Sequence, residues 1–168
     1  MSNGYRTPPS SPPGSPVARG GPLTINALKT ILNRSGKNWA FTGSQAMKIH
    51  GNTIGRTHRA PNDIDILVNQ LNLPIFIDLL SSIGYRLNGP PPLKRSNVNI
   101  NKVTLNKGNK HIDLLVAGKL GPKFTTNSVH LVGGYPVVSI RNLITFKKRA
   151  NGGNSAAANI AFLKSLLR

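Results

Sequence analysis

The 168-residue sequence contains no cysteine and no glutamate. Without cysteine, the chain can form no disulfide, has no thiolate nucleophile and cannot build a zinc site of the cysteine type. A reducing interior is therefore the favoured setting. The length is that of one domain with a core of its own.

Long apolar runs are also missing from the sequence. No segment reaches the roughly 18 consecutive apolar residues that would span a bilayer, and the N-terminus lacks the apolar stretch of a secretory signal. We therefore expect no membrane partner and a cytoplasmic or other intracellular location. A viral or nucleic-acid-associated setting is also compatible with these features.

Acidic charge is scarce, because 22 Lys and Arg residues face only four acidic residues, which gives a net charge of +18. Such an excess usually serves a polyanionic partner, most often nucleic acid. Aromatic residues are few, with one Trp, three Tyr and five Phe, and this composition argues against a protein that binds single strands by base stacking.

Residues 1–22 consist almost entirely of Pro, Ser, Gly and Arg. Such a segment cannot bury enough apolar surface to offset the entropy lost on ordering, so it is predicted to be a disordered tail. Residues 23–168 then form the single folded domain.

Three of the four acidic residues fall on predicted strands with apolar neighbours. Asp63 and Asp65 alternate with apolar residues in the segment 63–68, and Asp113 occupies the same pattern in 111–116. Period-two alternation places Asp63 and Asp65 on one face of a strand, about 7 Å apart. Carboxylates grouped in this way favour a hard cation.

A short apolar strand and a Thr42-Gly43-Ser44 turn precede this pair, and a helix is predicted over residues 44–50. A glycine at such a turn lets backbone amides approach a phosphate, which the helix N-terminus also favours. Ser44 adds a hydroxyl donor. His50, at the end of the helix, lacks companions at metal-ligand spacing and is interpreted as a packing residue.

The arrangement resembles the nucleotidyltransferase superfamily of DNA polymerase β. Within it, the segment GSQAMKIHG followed by RAPNDIDILV is most similar to bacterial minimal nucleotidyltransferases and AbiEii-type toxin domains. The matching positions are Gly43, Ala46, His50, Gly51, Arg59, Asp63 and Asp65. The later segment VVSIRNLITFKKRA matches the family at Lys147, but Asn and Ala replace the acidic residues that usually follow there.

The resemblance and the alternating patterns together predict an α/β (α+β) domain with a mixed sheet of about four or five strands flanked by helices. The predicted segments are helices at 23–33, 44–50, 74–83, 140–150 and 156–167, and a hairpin over 98–105 and 110–116. Short strands are also predicted at 39–41 and 85–88, and one or two within 129–138 around Gly133-Gly134.

The resemblance also implies the roles of the site residues. Asp63, Asp65 and Asp113 would be the catalytic residues and would bind two Mg²⁺ ions, or Mn²⁺. The phosphates of an NTP such as ATP would be held by Gly43, Ser44, Arg59 and Lys147.

The implied activity is metal-dependent transfer of a nucleotidyl group from an NTP to an acceptor. The basic surface favours RNA as that acceptor, over DNA and over a protein hydroxyl. The alternative is a basic nucleic-acid-binding or packaging protein, without catalysis, on a degenerate nucleotidyltransferase fold.

Overall fold

The structure is a computed structural model that describes residues 23–56, 63–89, 100–150 and 153–167. The predicted tail, residues 1–22, and Arg59 lie outside the described residues. The described helices are α1 (Ile25–Asn33), α2 (Gly43–Asn52), α3 (Leu73–Ser81), α4 (Ile140–Ala150) and α5 (Gly153–Ser165). The described strands are β1 (Trp39–Thr42), β2 (Asp63–Val68), β3 (Arg86–Leu87), β4 (Lys102–Lys107), β5 (Lys110–Val116), β6 (Val129–Val132) and β7 (Tyr135–Val138).

The fold class is confirmed as mixed α/β, but the predicted number of strands was too low. The described residues contain seven strands in one sheet, against the four or five expected. The strand β3 has only two residues, and β6 and β7 have four each on either side of Gly133-Gly134. The segments 85–88 and 129–138 were each predicted to contain short strands, but alternation over so few residues is too weak to give the number of strands in the sheet.

The strands follow the order β3-β4-β5-β2-β1-β7-β6 across the sheet. The strands β2 and β5 are parallel neighbours, as are β1 and β7, and the other neighbouring pairs are antiparallel. The two strands that carry Asp65 and Asp113 therefore lie side by side in the interior of the sheet.

Helices pack on the sheet with their apolar positions buried. In α1 the buried residues are Leu28, Ile31 and Leu32, at helical spacing, and the helix begins where the Thr24 hydroxyl accepts a hydrogen bond from the amide of Ala27. The helix α1 contacts α3, while α2 contacts α4 and α4 contacts α5. Among the described residues, no helix has the length and apolar character needed to cross a membrane.

The hairpin of β4 and β5 turns at Gly108-Asn109, where Gly108 has a φ of 61°. This left-handed conformation suits glycine and permits a two-residue turn. The turn pairs Lys107 with Lys110 and thereby places Thr104 directly opposite Asp113.

Candidate active site

A row of four polar residues crosses the middle of the sheet. Thr42 of β1 is paired with Asp65 of β2, Asp65 with Asp113 of β5, and Asp113 with Thr104 of β4. Paired residues on neighbouring strands project from the same face of a sheet. The strand register therefore places Asp113 on the same face as Asp65.

The next row on the same face contains Asp63, His111 and Asn106. Asp63 is exposed, whereas Asp65 and Asp113 are half-buried. The ring Nδ1 of His111 is hydrogen-bonded to the side-chain oxygen of Asn106. Asp63 thus lies two residues before Asp65 on β2, on the same face of the sheet as the Asp65–Asp113 pair.

The ionisation of Asp65 reflects its surroundings. Burial, followed by the negative charge of Asp113, raises the pKa of Asp65 from 3.8 to about 6. Asp63 raises this pKa further, whereas the nearby cations Lys147 and Lys102 lower it. Three carboxylates and two ammonium groups consequently share one electrostatic environment.

The donor set fits a hard divalent cation in its chemistry, because it consists of carboxylates whose mutual repulsion a cation would relieve. Within the described ranges, however, no three His or Asp side chains are grouped closely enough to hold one metal ion. The observed arrangement is the Asp65–Asp113 pair with Asp63 beside it, displaced along the strand.

The turn at Gly43 packs directly against Asp65 of this pair. Gly43 has a φ of 60°, and a Cβ atom built there would overlap Oδ2 of Asp65. Glycine is therefore required both by the backbone conformation and by the approach of the carboxylate. The helix α2 begins at this residue, so Ser44 and the first amides of the helix lie beside the aspartates.

Lys147, in the third turn of α4, is the cation that this helix places near Asp65. It is half-buried, unlike its neighbours Lys148 and Arg149, which are exposed. Lys102, on β4, also lies near enough to Asp65 to lower its pKa. Sequence alternation alone does not reveal this proximity, because it depends on the strand order.

His50 is buried, and its Nε2 lies 2.9 Å from the carbonyl oxygen of Val138. Burial lowers the pKa of His50, against the raising effect of this hydrogen bond. A neutral imidazole donating to a buried carbonyl agrees with the interpretation of His50 as a packing residue.

Two further polar residues were not identified from the sequence. The hydroxyl of Thr104 donates a hydrogen bond of 2.6 Å to Oδ1 of Asp113. Gln45, in the first turn of α2, is only 3 % exposed, and its Nε2 has no hydrogen-bond partner in the part of the chain that the structure describes. The hairpin turn could have predicted the position of Thr104, whereas no sequence pattern predicts the burial of the Gln45 amide.

No protein-family model and no curated protein sequence matches the chain. Among solved structures, the antibiotic-resistance factor ANT(2'')-Ia aligns with a TM-score of 0.64 and 13% identity, over 86% of this chain and 82% of that one. The lincosamide antibiotic adenylyltransferase LnuA, with lincomycin bound, aligns with a TM-score of 0.63 and 15% identity, over 84% and 95%. The fold is nucleotidyltransferase-like.

A second structure of ANT(2'')-Ia, in complex with adenylyl-2''-tobramycin, aligns with a TM-score of 0.62 and 13% identity, over 86% of this chain and 87% of that one. These likenesses extend over most of both proteins, but identities this low establish the fold alone. The chemistry of this protein depends on its own site residues.

Proposed function

We propose that this protein transfers a nucleotidyl group from an NTP to an acceptor hydroxyl, with Asp63, Asp65 and Asp113 as the catalytic residues. The observation that carries the proposal is the pairing of Asp65 with Asp113, directly against the glycine turn that begins α2. An anion-binding helix start beside a carboxylate pair is the combination that nucleotidyl transfer requires.

In the reaction, the acceptor oxygen attacks the α-phosphorus of the NTP and forms a new P–O bond. The bond between the α-phosphorus and the bridging oxygen breaks, and pyrophosphate leaves with the electron pair. The acceptor hydroxyl loses its proton to Asp113, which passes it to water. Asp63 and Asp65 would hold one Mg²⁺ and Asp113 would complete the site of a second, and the bound ions would neutralise the triphosphate and activate the attacking oxygen.

The remaining site residues bind and orient the nucleotide. The amides at the start of α2 and the hydroxyl of Ser44 hold the terminal phosphates, because the helix N-terminus favours an anion. Lys147 supplies a cation next to the carboxylates. Arg59 lies outside the described residues, and its proposed role as a second phosphate ligand rests on its place in the motif.

RNA is the acceptor that we propose. The net charge of +18 exceeds what binding one triphosphate needs, and exposed cations lie on the helix that also carries Lys147, at Arg141, Lys148 and Arg149. Lys107 of the hairpin is partly engaged, since its Nζ donates to the carbonyl of Ile83. The exposed cations of α4, Arg141, Lys148 and Arg149, form the basic track that we propose for RNA.

The likeness to antibiotic adenylyltransferases makes a small hydroxylated molecule the competing acceptor. The charge excess instead favours a polyanionic macromolecule as the acceptor. Incubation with each of four α-labelled NTPs, Mg²⁺, and either RNA, total protein or an aminoglycoside distinguishes these acceptors. We expect label on RNA, and label only on protein or on the antibiotic contradicts this acceptor.

A non-catalytic nucleic-acid-binding protein is the second candidate, and the charge excess is what favours it. Binding through phosphate contacts persists without Mg²⁺ and weakens steeply with salt, whereas transfer requires the metal. Tight RNA binding without pyrophosphate release from any NTP, in either Mg²⁺ or Mn²⁺, would select this candidate.

A further inference from the structure

The site extends beyond the three aspartates onto β4. Thr104 faces Asp113 across the hairpin, and its Oγ1 lies 2.6 Å from Oδ1 of that carboxylate. Both side chains are half-buried. A hydroxyl that donates to a carboxylate makes a short, charge-assisted hydrogen bond, and partial burial limits competition from water.

The bond restrains a side chain that would otherwise be free to turn away. Asp113 lies next to Asp65 on the parallel strand, and two carboxylates in this position repel each other. Rotation of Asp113 away from Asp65 would relieve the repulsion and remove its second oxygen from the site. The Thr104 hydroxyl opposes this rotation because it holds Oδ1 on the side of β4.

The fixed hairpin register also fixes the position of the Thr104 hydroxyl relative to Asp113. The two-residue turn at Gly108-Asn109 sets the pairing of Thr104 with Asp113. Threonine is also β-branched, so its χ1 angle has few alternatives on a strand. The donor therefore approaches Asp113 from a constant direction.

We propose that Thr104 is a positioning residue of the transfer site, whose hydroxyl fixes Oδ1 of Asp113 and directs Oδ2 toward Asp65. The inference rests on the proposed function, because the orientation matters only where Asp113 acts on an acceptor or a cation. Partners that orient metal ligands typically contribute about 10–100-fold to affinity or activity.

The test compares Thr104→Val with Thr104→Ser. Valine keeps the shape and strand preference of threonine but removes the donor, whereas serine keeps the donor. Thr30→Val is the matched control, because it removes the hydroxyl hydrogen bond that Thr30 makes to Asn26 on α1. Unchanged melting temperatures and amide NMR spectra establish that each variant is folded.

The first readout is steady-state kinetics of nucleotidyl transfer. We expect Thr104→Val to lower kcat about 10–100-fold with KM for the NTP changed less than about threefold. Serine should restore most of kcat, and Thr30→Val should match the wild type. A Val variant with wild-type kcat, or a Ser variant as impaired as Val, overturns the positioning role.

The second readout does not depend on turnover. With carboxyl ¹³C-aspartate labelling, the chain gives four side-chain carboxyl signals, since it has four acidic residues and no glutamate. Added Mn²⁺ should broaden the signals of Asp63, Asp65 and Asp113 in the wild type and spare that of Asp78, which is exposed on α3. In Thr104→Val, half-maximal broadening of the Asp113 signal should need about tenfold more Mn²⁺.

The two readouts separate the two proposals. A wild-type protein that neither transfers a nucleotide nor binds Mn²⁺ at these aspartates overturns the proposed function and, with it, the role of Thr104. An active wild type whose Thr104→Val variant keeps either its kcat or its Mn²⁺ response overturns the positioning role alone.

Discussion

The two halves of the site surround their carboxylates with different neighbouring groups. In the β1–β2 half, Asp65 packs against the Gly43 turn, and burial together with its acidic neighbours raises its pKa to about 6. In the β4–β5 half, Asp113 receives a hydroxyl hydrogen bond from Thr104. The strands β2 and β5 have the same apolar alternation, so the strand pattern alone does not decide the environment of its aspartate. The neighbouring strand and turn decide it.

The largest expected effect comes from removing either carboxylate of the pair. Asp65→Asn and Asp113→Asn should each lower kcat/KM for nucleotidyl transfer by about 10³-fold or more, because each removes a charge that the transition state uses. Asp78→Asn, on α3, should leave the rate unchanged. Transfer that survives Asp113→Asn within tenfold would show that the hairpin half is not part of the site.

Replacing Asp65 should make the folded protein more stable, even though it abolishes nucleotidyl transfer. The raised pKa means that folded Asp65 binds a proton more tightly than unfolded Asp65, so stability falls as the pH rises from about 4 to about 6. Asp65→Asn should therefore raise the free energy of unfolding at pH 7, without divalent cations, by up to about 3 kcal/mol.

Chemical denaturation at pH 4 and pH 7 measures this difference, which should vanish near pH 4. Mg²⁺ should stabilise the wild type more than Asp65→Asn, since only the wild type has the charge that the cation relieves. Asp78→Asn again serves as the control. A destabilised Asp65→Asn variant at pH 7 would contradict the electrostatic strain assigned to this half.

Two separate effects make glycine necessary at position 43, and substitutions can distinguish them. Gly43→Ala adds both an unfavourable positive φ and an overlap with the Asp65 carboxylate, and should cost more than the roughly 1–2 kcal/mol of the backbone term alone. Gly36→Ala is the matched control, because Gly36 has a φ of 65° and no atom within 4 Å of the added Cβ. Equal destabilisation of the two variants in thermal denaturation would show that the carboxylate overlap is unimportant.

The smallest expected effects concern the cations of α4. Lys147→Ala should lower the rate of transfer about tenfold with little change in RNA affinity, because this half-buried side chain lies near Asp65. Lys148→Glu with Arg149→Glu should weaken RNA binding and reduce its salt slope by about two, because each substitution removes one cation that would pair with an RNA phosphate.

The matched control for this double variant is Lys37→Glu with Lys119→Glu. Both residues are exposed, and they lie before β1 and after β5, at the end of these strands away from Asp65. The control changes the net charge by the same amount and should have less effect in salt-dependent binding assays. Equal weakening of RNA binding by the two double variants would contradict a basic track on α4.

Local sequence patterns identified most of the elements that build the site. Strand β2 and helix α4 were predicted with their observed bounds, and the ends of α2 and α5 differed by a few residues. These features depend on neighbours in the sequence, such as capping residues and alternation. The short strands β1 and β3 were also located, and the segment 129–138 was predicted as one or two strands. The number of strands in the sheet was nevertheless underestimated, since the pairing of such short strands is decided by the whole sheet.

What could not be predicted depends on contacts between distant segments. The proximity of Lys102 to Asp65 follows from the order of β4, β5 and β2 in the sheet, which no local pattern fixes. The burial of Gln45 depends on how α2 packs against neighbouring elements. The Thr104–Asp113 pair is intermediate, because the turn at Gly108-Asn109 determines the register but not the hydrogen bond.

The hydrogen bond between His50 and Val138 has a mechanical consequence. Val138 ends β7, and Ser139 then accepts a hydrogen bond from the amide of Asn142 at the start of α4. The end of α2 and the beginning of α4 are therefore both held at the end of β7. Lys147 lies about two helical turns beyond that anchor. Its ammonium group can approach or leave Asp65 by a change of rotamer or by bending of the last turns of α4, while the start of the helix stays held at the end of β7.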